Sequence, residues 1–162
     1  TYAQPAELNT ALASGDVHIA VLPEPMVTIA RAANPELTAA LYLTAEWDKV
    51  SEACSLVQGC VVVRKAFADE HPNEVKAFLD EYKASIAFLT AEPEQAGQMI
   101  QDAGIFAKAA VAAKAIPNCN VCFVSGAEMQ APLTAFLTAL STVAPQSIGG
   151  SVPGDDFYCV LK

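Results

Sequence analysis

The sequence predicts an α/β protein, and three observations carry that reading. The first third alternates short apolar runs with helical patterns, residues 60–64 (Cys-Val-Val-Val-Arg) form a β-branched run, and a long amphipathic helix follows His71.

Residues 5–14 predict a helix, with Pro5 in the first turn, where its missing N–H costs nothing, and Gly15 as the C-cap. Residues 17–22 form an apolar run interrupted by His18, which suits a parallel strand covered on both faces. Pro23, Glu24 and Pro25 make a rigid acidic turn into a second helix over 25–33, stopped by Asn34-Pro35; a second short strand is expected at 38–43. Residues 44–53, with Glu46, Trp47 and Asp48, predict a loop or irregular helical turn, and Gly59 precedes the 60–64 run, expected as a buried strand.

Beyond His71, the residues Val75, Phe78, Leu79, Tyr82, Ile86 and Leu89 recur at helical spacing behind Pro72. Pro93 opens a shorter helix ending near Gly104, and an alanine-rich helix is expected from about 106 to 115, before Pro117. Residues 118–124 predict a strand. Ser125-Gly-Ala-Glu128 has capping-box spacing ahead of the stripe Met129, Leu133, Phe136, Leu137 and Leu140. Pro132 conflicts with one straight helix, so a kink, or a turn followed by a helix from about Ala131, is expected. The Gly/Pro-rich tail, 147–162, reads as a docked extended or turn segment.

The chain has 162 residues and a formal charge of −9, enough length for one well-buried domain or two small lobes. With two arginines and no basic cluster, a nucleic-acid partner is excluded. No apolar run approaches the roughly 20 residues that span a bilayer. Cys119 and Cys122 form a lone Cys-x-x-Cys without the further ligands zinc needs, and they read as buried or half-buried thiols. Cys54 and Cys60 would close a small disulfide loop in an oxidising compartment. No catalytic constellation is evident, and no metal or cofactor is expected. His18 reads as a hydrogen-bonded structural residue, His71 as a helix-start residue, and Glu46 and Asp48 as a solvated face. Glu24, between two prolines at a helix start, fits any of three roles: binding a cationic or hydroxyl-bearing solute, accepting backbone N–H bonds, or pairing across an interface. The N–H groups after Pro25 offer a site for an oxyanion, weakened by the adjacent Glu24, so the sign of a ligand stays open.

Several ordered blocks carry a family resemblance. They are Pro5-Ala-Glu-Leu with Ala11-Leu-Ala-Ser-Gly-Asp-Val17, Ala20-Val-Leu-Pro-Glu-Pro25, Gly59-Cys-Val-Val-Val-Arg-Lys65, His71-Pro-Asn-Glu-Val with Ala77-Phe-Leu-Asp-Glu-Tyr82, Ile116-Pro-Asn-Cys119, and the closing Ser147-Ile-Gly-Gly with Pro153-Gly-Asp-Asp-Phe-Tyr158. In these the chain resembles the solute-binding proteins of ABC importers, in the branch of nitrate, sulfonate, taurine and thiamine-precursor binding proteins. The resemblance implies a type II periplasmic-binding-protein-like fold of two α/β lobes. Residues 1–45 would be the latter half of the second lobe, 46–58 the crossover or hinge, and 59–162 the helix-rich return into the first lobe. The chain would then be a C-terminal portion.

The same resemblance implies a non-catalytic carrier, extracytoplasmic in the periplasm or as a cell-surface lipoprotein, handing a small solute to a membrane permease. Its ligand-binding residues would be Leu22, Pro23, Glu24, Pro25 and Met26, with Trp47 and Gln58 near the crossover. The alternatives are an enzyme resembling the thiamine-pyrimidine-precursor synthases, and a non-binding module that dimerises or exchanges segments through exposed lobe surface.

Overall fold

A computed structural model describes residues 2–51 and 54–161. Among these residues every regular element is helical, which overturns the α/β expectation and the two-lobe α/β fold with it. The runs at 17–22, 38–42 and 60–64 are irregular, and 118–124 is a 3₁₀ end followed by irregular chain. A strand exists only through its ladder, and no ladder forms here. Much of their apolar surface stays in solvent, with Ile19 90% and Val62 78% exposed, while Val17, Ala20 and Leu22 are half-buried.

Local helix signals fared better. Helix α1 spans Pro5–Ser14, with proline in its first turn, and ends at Gly15 in the left-handed region (φ 86°), which a Cβ would disfavour. Helix α2, Met26–Ala33, ends where Asn34 donates its N–H to the Ala30 carbonyl and accepts the Glu36 N–H on its side chain. Leu43–Val50 forms a regular helix, α3, where a loop or irregular helical turn is expected over 44–53, and residues 52 and 53 of that stretch lie outside the described residues. Lys65–Glu70 forms α4, and Pro72–Ala91 forms the long α5. Pro93–Asp102 is α6, and Ala109–Ala115 is α7, shorter than predicted, continuing into a 3₁₀ turn at Ile116–Asn118.

Helix α8 runs over Ala127–Val143 with Pro132 inside it, so the expected turn followed by a separate helix from about Ala131 is not present. Pro132 is the sixth helical residue, so it forfeits one early hydrogen bond without ending the helix. The expected capping box does not form: the N-cap is Gly126 at φ 59°, and no side chain caps the helix.

The chain divides into two compact units. The first comprises Thr1–Ala40 and Tyr82–Cys122; the second comprises Leu41–Glu81 and Phe123–Lys162. In the first unit α1 packs on α2, α2 on α7, and α6 on α7. Small residues set the α6–α7 approach. A Cβ on Gly97 would lie 2.5 Å from the Ala109 carbonyl oxygen, and Ala96, Ala112, Ala115 and Ile116 are buried around it.

The second unit is held by aromatic and hydroxyl contacts. The Trp47 ring meets Phe136 of α8 at 5.8 Å between centroids, and its indole N–H donates to the Cys54 carbonyl at 2.8 Å. Tyr158 is buried, and its hydroxyl shares a 2.7 Å hydrogen bond with Thr134. Gln130 donates to Asp155 at 2.9 Å, so the tail beyond the 3₁₀ turn Pro145–Ile148 docks on α8, as expected of a docked segment.

Candidate functional site

The candidate site in the first unit is built on the Pro23-Glu24-Pro25 turn, whose Glu24–Pro25 bond is cis. The Pro23 carbonyl accepts from Met26 N–H at 2.9 Å and Val27 N–H at 3.3 Å. The Glu24 carboxylate accepts from Thr28 N–H at 3.1 Å, and Pro25 carbonyl accepts from Ile29 N–H at 3.0 Å. These four bonds occupy the amides that open α2. Of the roles Glu24's position allows, the one realised is that of a backbone acceptor, and no opening amide of α2 is left over for an oxyanion.

Asn9 anchors the turn from behind. Its side-chain amide is buried and donates to the Met26 carbonyl at 2.7 Å, with the Met26 sulfur 3.8 Å away. Beside the turn, Tyr2, Pro5, Leu8, Val21, Leu22 and Pro23 contribute to the lining of a small open cavity of about 240 Å³. Drug-sized ligands occupy pockets of roughly 300–1,000 Å³, so this cavity suits a small solute or one end of a larger one.

Cys119, at the end of the 3₁₀ turn after α7, lies within electrostatic reach of the turn. Burial pushes its thiol above its ordinary pKa, and the Glu24 carboxylate pushes it further the same way. A thiol held neutral is a poor nucleophile and a poor metal ligand. Cys122 is exposed, and all five cysteines are free thiols, Cys54 and Cys60 included. Among the described residues no three His, Cys, Asp or Glu side chains come together as a metal site.

Leu22, Pro23, Glu24, Pro25 and Met26 are thus brought together in the first unit. Trp47 and Gln58 belong to the second, where Trp47 is committed to Phe136 and Cys54, and Gln58 is exposed on irregular chain. His18 is exposed on irregular chain rather than held inside a strand. His71 ends α4 and precedes α5, stacking on Phe67 at 4.7 Å with Nδ1 3.4 Å from Glu74. Glu46 pairs with Lys49 at 2.7 Å on the surface of α3.

Sequence reasoning missed Asn9 and Cys119 as parts of this site. Asn9 left one signal, a poor helix former in the middle of α1. Cys119 left none that ties it to Glu24, 95 positions away in sequence by the numbering.

No helix among the described residues is long and apolar enough to cross a membrane. No family model matches the sequence, and no curated protein matches it. The fold does have a counterpart: it is ABC-transporter-related. The similar structure is an ABC transporter from Parabacteroides distasonis, which matches with a TM-score of 0.85 and 25% identity. The match covers 100% of this chain and 56% of that one, so the chain spans little more than half the length of its structural relative.

Proposed function

We propose that this chain belongs to the solute-binding component of an ABC importer and contributes the Pro23–Pro25 turn and its cavity to solute recognition. The observation that carries the reading is the match to an ABC transporter over the whole of this chain. The ordered sequence blocks from Pro5 to Tyr158 support the nitrate, sulfonate, taurine and thiamine-precursor branch. The role is non-catalytic: the Cys119 thiol is held neutral, and Glu24 is engaged with the Thr28 amide. The partners are a small solute and a membrane permease, and the working compartment is extracytoplasmic.

A thermal-shift screen tests it, using nitrate, taurine and other sulfonates, thiamine precursors, amino acids and aromatic acids. A ligand at a hundred times its Kd stabilises by about 2.7 kcal/mol, which for a chain of this size is a shift of roughly 5–10 °C. Saturable stabilisation by one class, weakened by Leu22→Ala, is the expected result. No shift with any of them would sink the reading, and covalent turnover of one would replace it with an enzymatic one.

A further inference from the structure

The cavity beside the Pro23-Glu24-Pro25 turn lies wholly within the first unit. Its walls come from residues 2–5 at the entry to α1, from Leu8 in that helix, and from residues 21–23 leading into the turn. No Asp, Glu, Lys, Arg or His lines it, and its polar side chains are the Tyr2 phenol and the Gln4 amide.

An ionised group loses hydration on entering such a cavity and meets no counter-ion there. An anion fares worst. The amides that open α2 are taken by the Pro23 and Pro25 carbonyls and the Glu24 carboxylate. At the start of α1, Pro5 has no N–H, and the Glu7 and Leu8 amides donate to the Gln4 carbonyl at 3.1 and 3.3 Å, with the Glu7 carboxylate in the same turn. Glu24 adds negative potential that reaches Cys119, and the whole chain carries −9.

Size and wall chemistry narrow the neutral occupant. The volume is about 240 Å³. An apolar cavity of about 150 Å³ accepts benzene, so one six-membered ring with a short substituent fits here. Tyr2 offers an aromatic partner, for which offset or edge-on ring pairing adds to area burial. Pro5 and Pro23 present rigid apolar faces that give up no side-chain entropy when covered.

We infer that the cavity binds an uncharged monocyclic aromatic ring and discriminates against anionic solutes, with Gln4 and Tyr2 the polar groups available to a hydroxyl or amide on that ring. This inference rests on the solute-binding reading and narrows it to one class of solute.

Ligand-observed NMR titrations of the full chain, up to about 10 mM ligand, test it with pairs that share a ring and differ in charge. The pairs are benzyl alcohol against benzoate, and benzamide against benzenesulfonate. The neutral member of each should bind saturably and about tenfold or more tighter than the anion. Tyr2 is 44% exposed and Val21 73% exposed, so neither substitution below disturbs a packed core. Tyr2→Ala should weaken neutral-ring binding about two- to tenfold. Val21→Lys, which sets a cation at the rim, should narrow or reverse the preference in each pair. An anion that binds as tightly as its neutral partner in the wild type overturns the inference while the solute-binding reading stands. So does neutral-ring binding that both variants leave unchanged. If no ring compound binds, the thermal-shift screen separates the two readings: stabilisation by nitrate, taurine or an amino acid overturns this inference alone, and stabilisation by nothing overturns the solute-binding reading as well.

Discussion

The side-chain amide of Asn9 donates a 2.7 Å hydrogen bond to the main-chain carbonyl of Met26, tying the middle of α1 to the first residue of α2. The bond crosses 17 residues and sets the turn that carries Glu24. Asn9→Ala removes this one hydrogen bond from a part-buried carbonyl that also belongs to the α2 ladder, a net loss of about 0.5–1.5 kcal/mol. Chemical denaturation should show a lower midpoint at an unchanged m-value.

Glu24 and Cys119 form an electrostatic pair whose sign is testable. Glu24→Gln keeps an oxygen that can accept from the Thr28 amide but removes the charge that raises the thiol's pKa. The Cys119 pKa should therefore fall in the variant, though burial keeps it above its ordinary value. Alkylation at mildly alkaline pH, followed at Cys119 by peptide mass mapping, should be faster in the variant; an unchanged rate would remove Glu24 from the account.

The same thiol makes stability depend on pH. Its folded pKa is raised, so the folded state holds the proton more tightly than the unfolded chain does. The contribution is fully present below the unfolded pKa and is lost as pH rises through the folded one. Denaturation midpoints of Cys119→Ala and wild type should thus converge or cross towards alkaline pH, with wild type losing more.

At Gly97 a methyl group has no room, because the Ala109 carbonyl oxygen and the Ala113 Cβ occupy its place. Gly97→Ala gains up to about 1 kcal/mol of helix propensity but forces α6 from α7, with overpacking costs of about 1–3 kcal/mol. The backbone oxygen cannot rotate aside, so net destabilisation should appear as a lower melting temperature.

Trp47 is the chain's single tryptophan and reports on the second unit alone. Trp47→Phe keeps an aromatic partner for Phe136 while deleting the indole bond to the Cys54 carbonyl, a loss of about 0.5–1.5 kcal/mol. With Trp47 kept, its fluorescence should red-shift relative to wild type when Phe136→Ala opens the ring contact.

Helix ends were legible because their causes are local. Pro5 and Gly15 bracket α1, Asn34-Pro35 stops α2, and Pro72 and Pro93 start α5 and α6, each through the backbone of its own few residues. The apolar runs at 17–22 and 60–64 were misread because their β-branched content states a preference that only a neighbouring strand can satisfy. At α3, residues 43–50 fold as a helix closed by the Ser51 N–H to Trp47 carbonyl bond and anchored by the Phe136 contact, which lies 89 positions further on. Pro132 lies near the start of a 17-residue helix, where one missing bond does not end it.

By itself the sequence determined where the chain turns helical and where it stops, and it marked Pro23-Glu24-Pro25 as a rigid acidic turn. Those outcomes follow from torsional limits and hydrogen bonds within a few residues. The tertiary structure alone decided that Glu24 spends its carboxylate on the Thr28 amide with Cys119 nearby, that Asn9 holds Met26, and that the valines at 61–63 face solvent. Apart from the Thr28 bond, these depend on which distant segments meet, and burial and charge act through distance in space, which spacing along the chain does not encode.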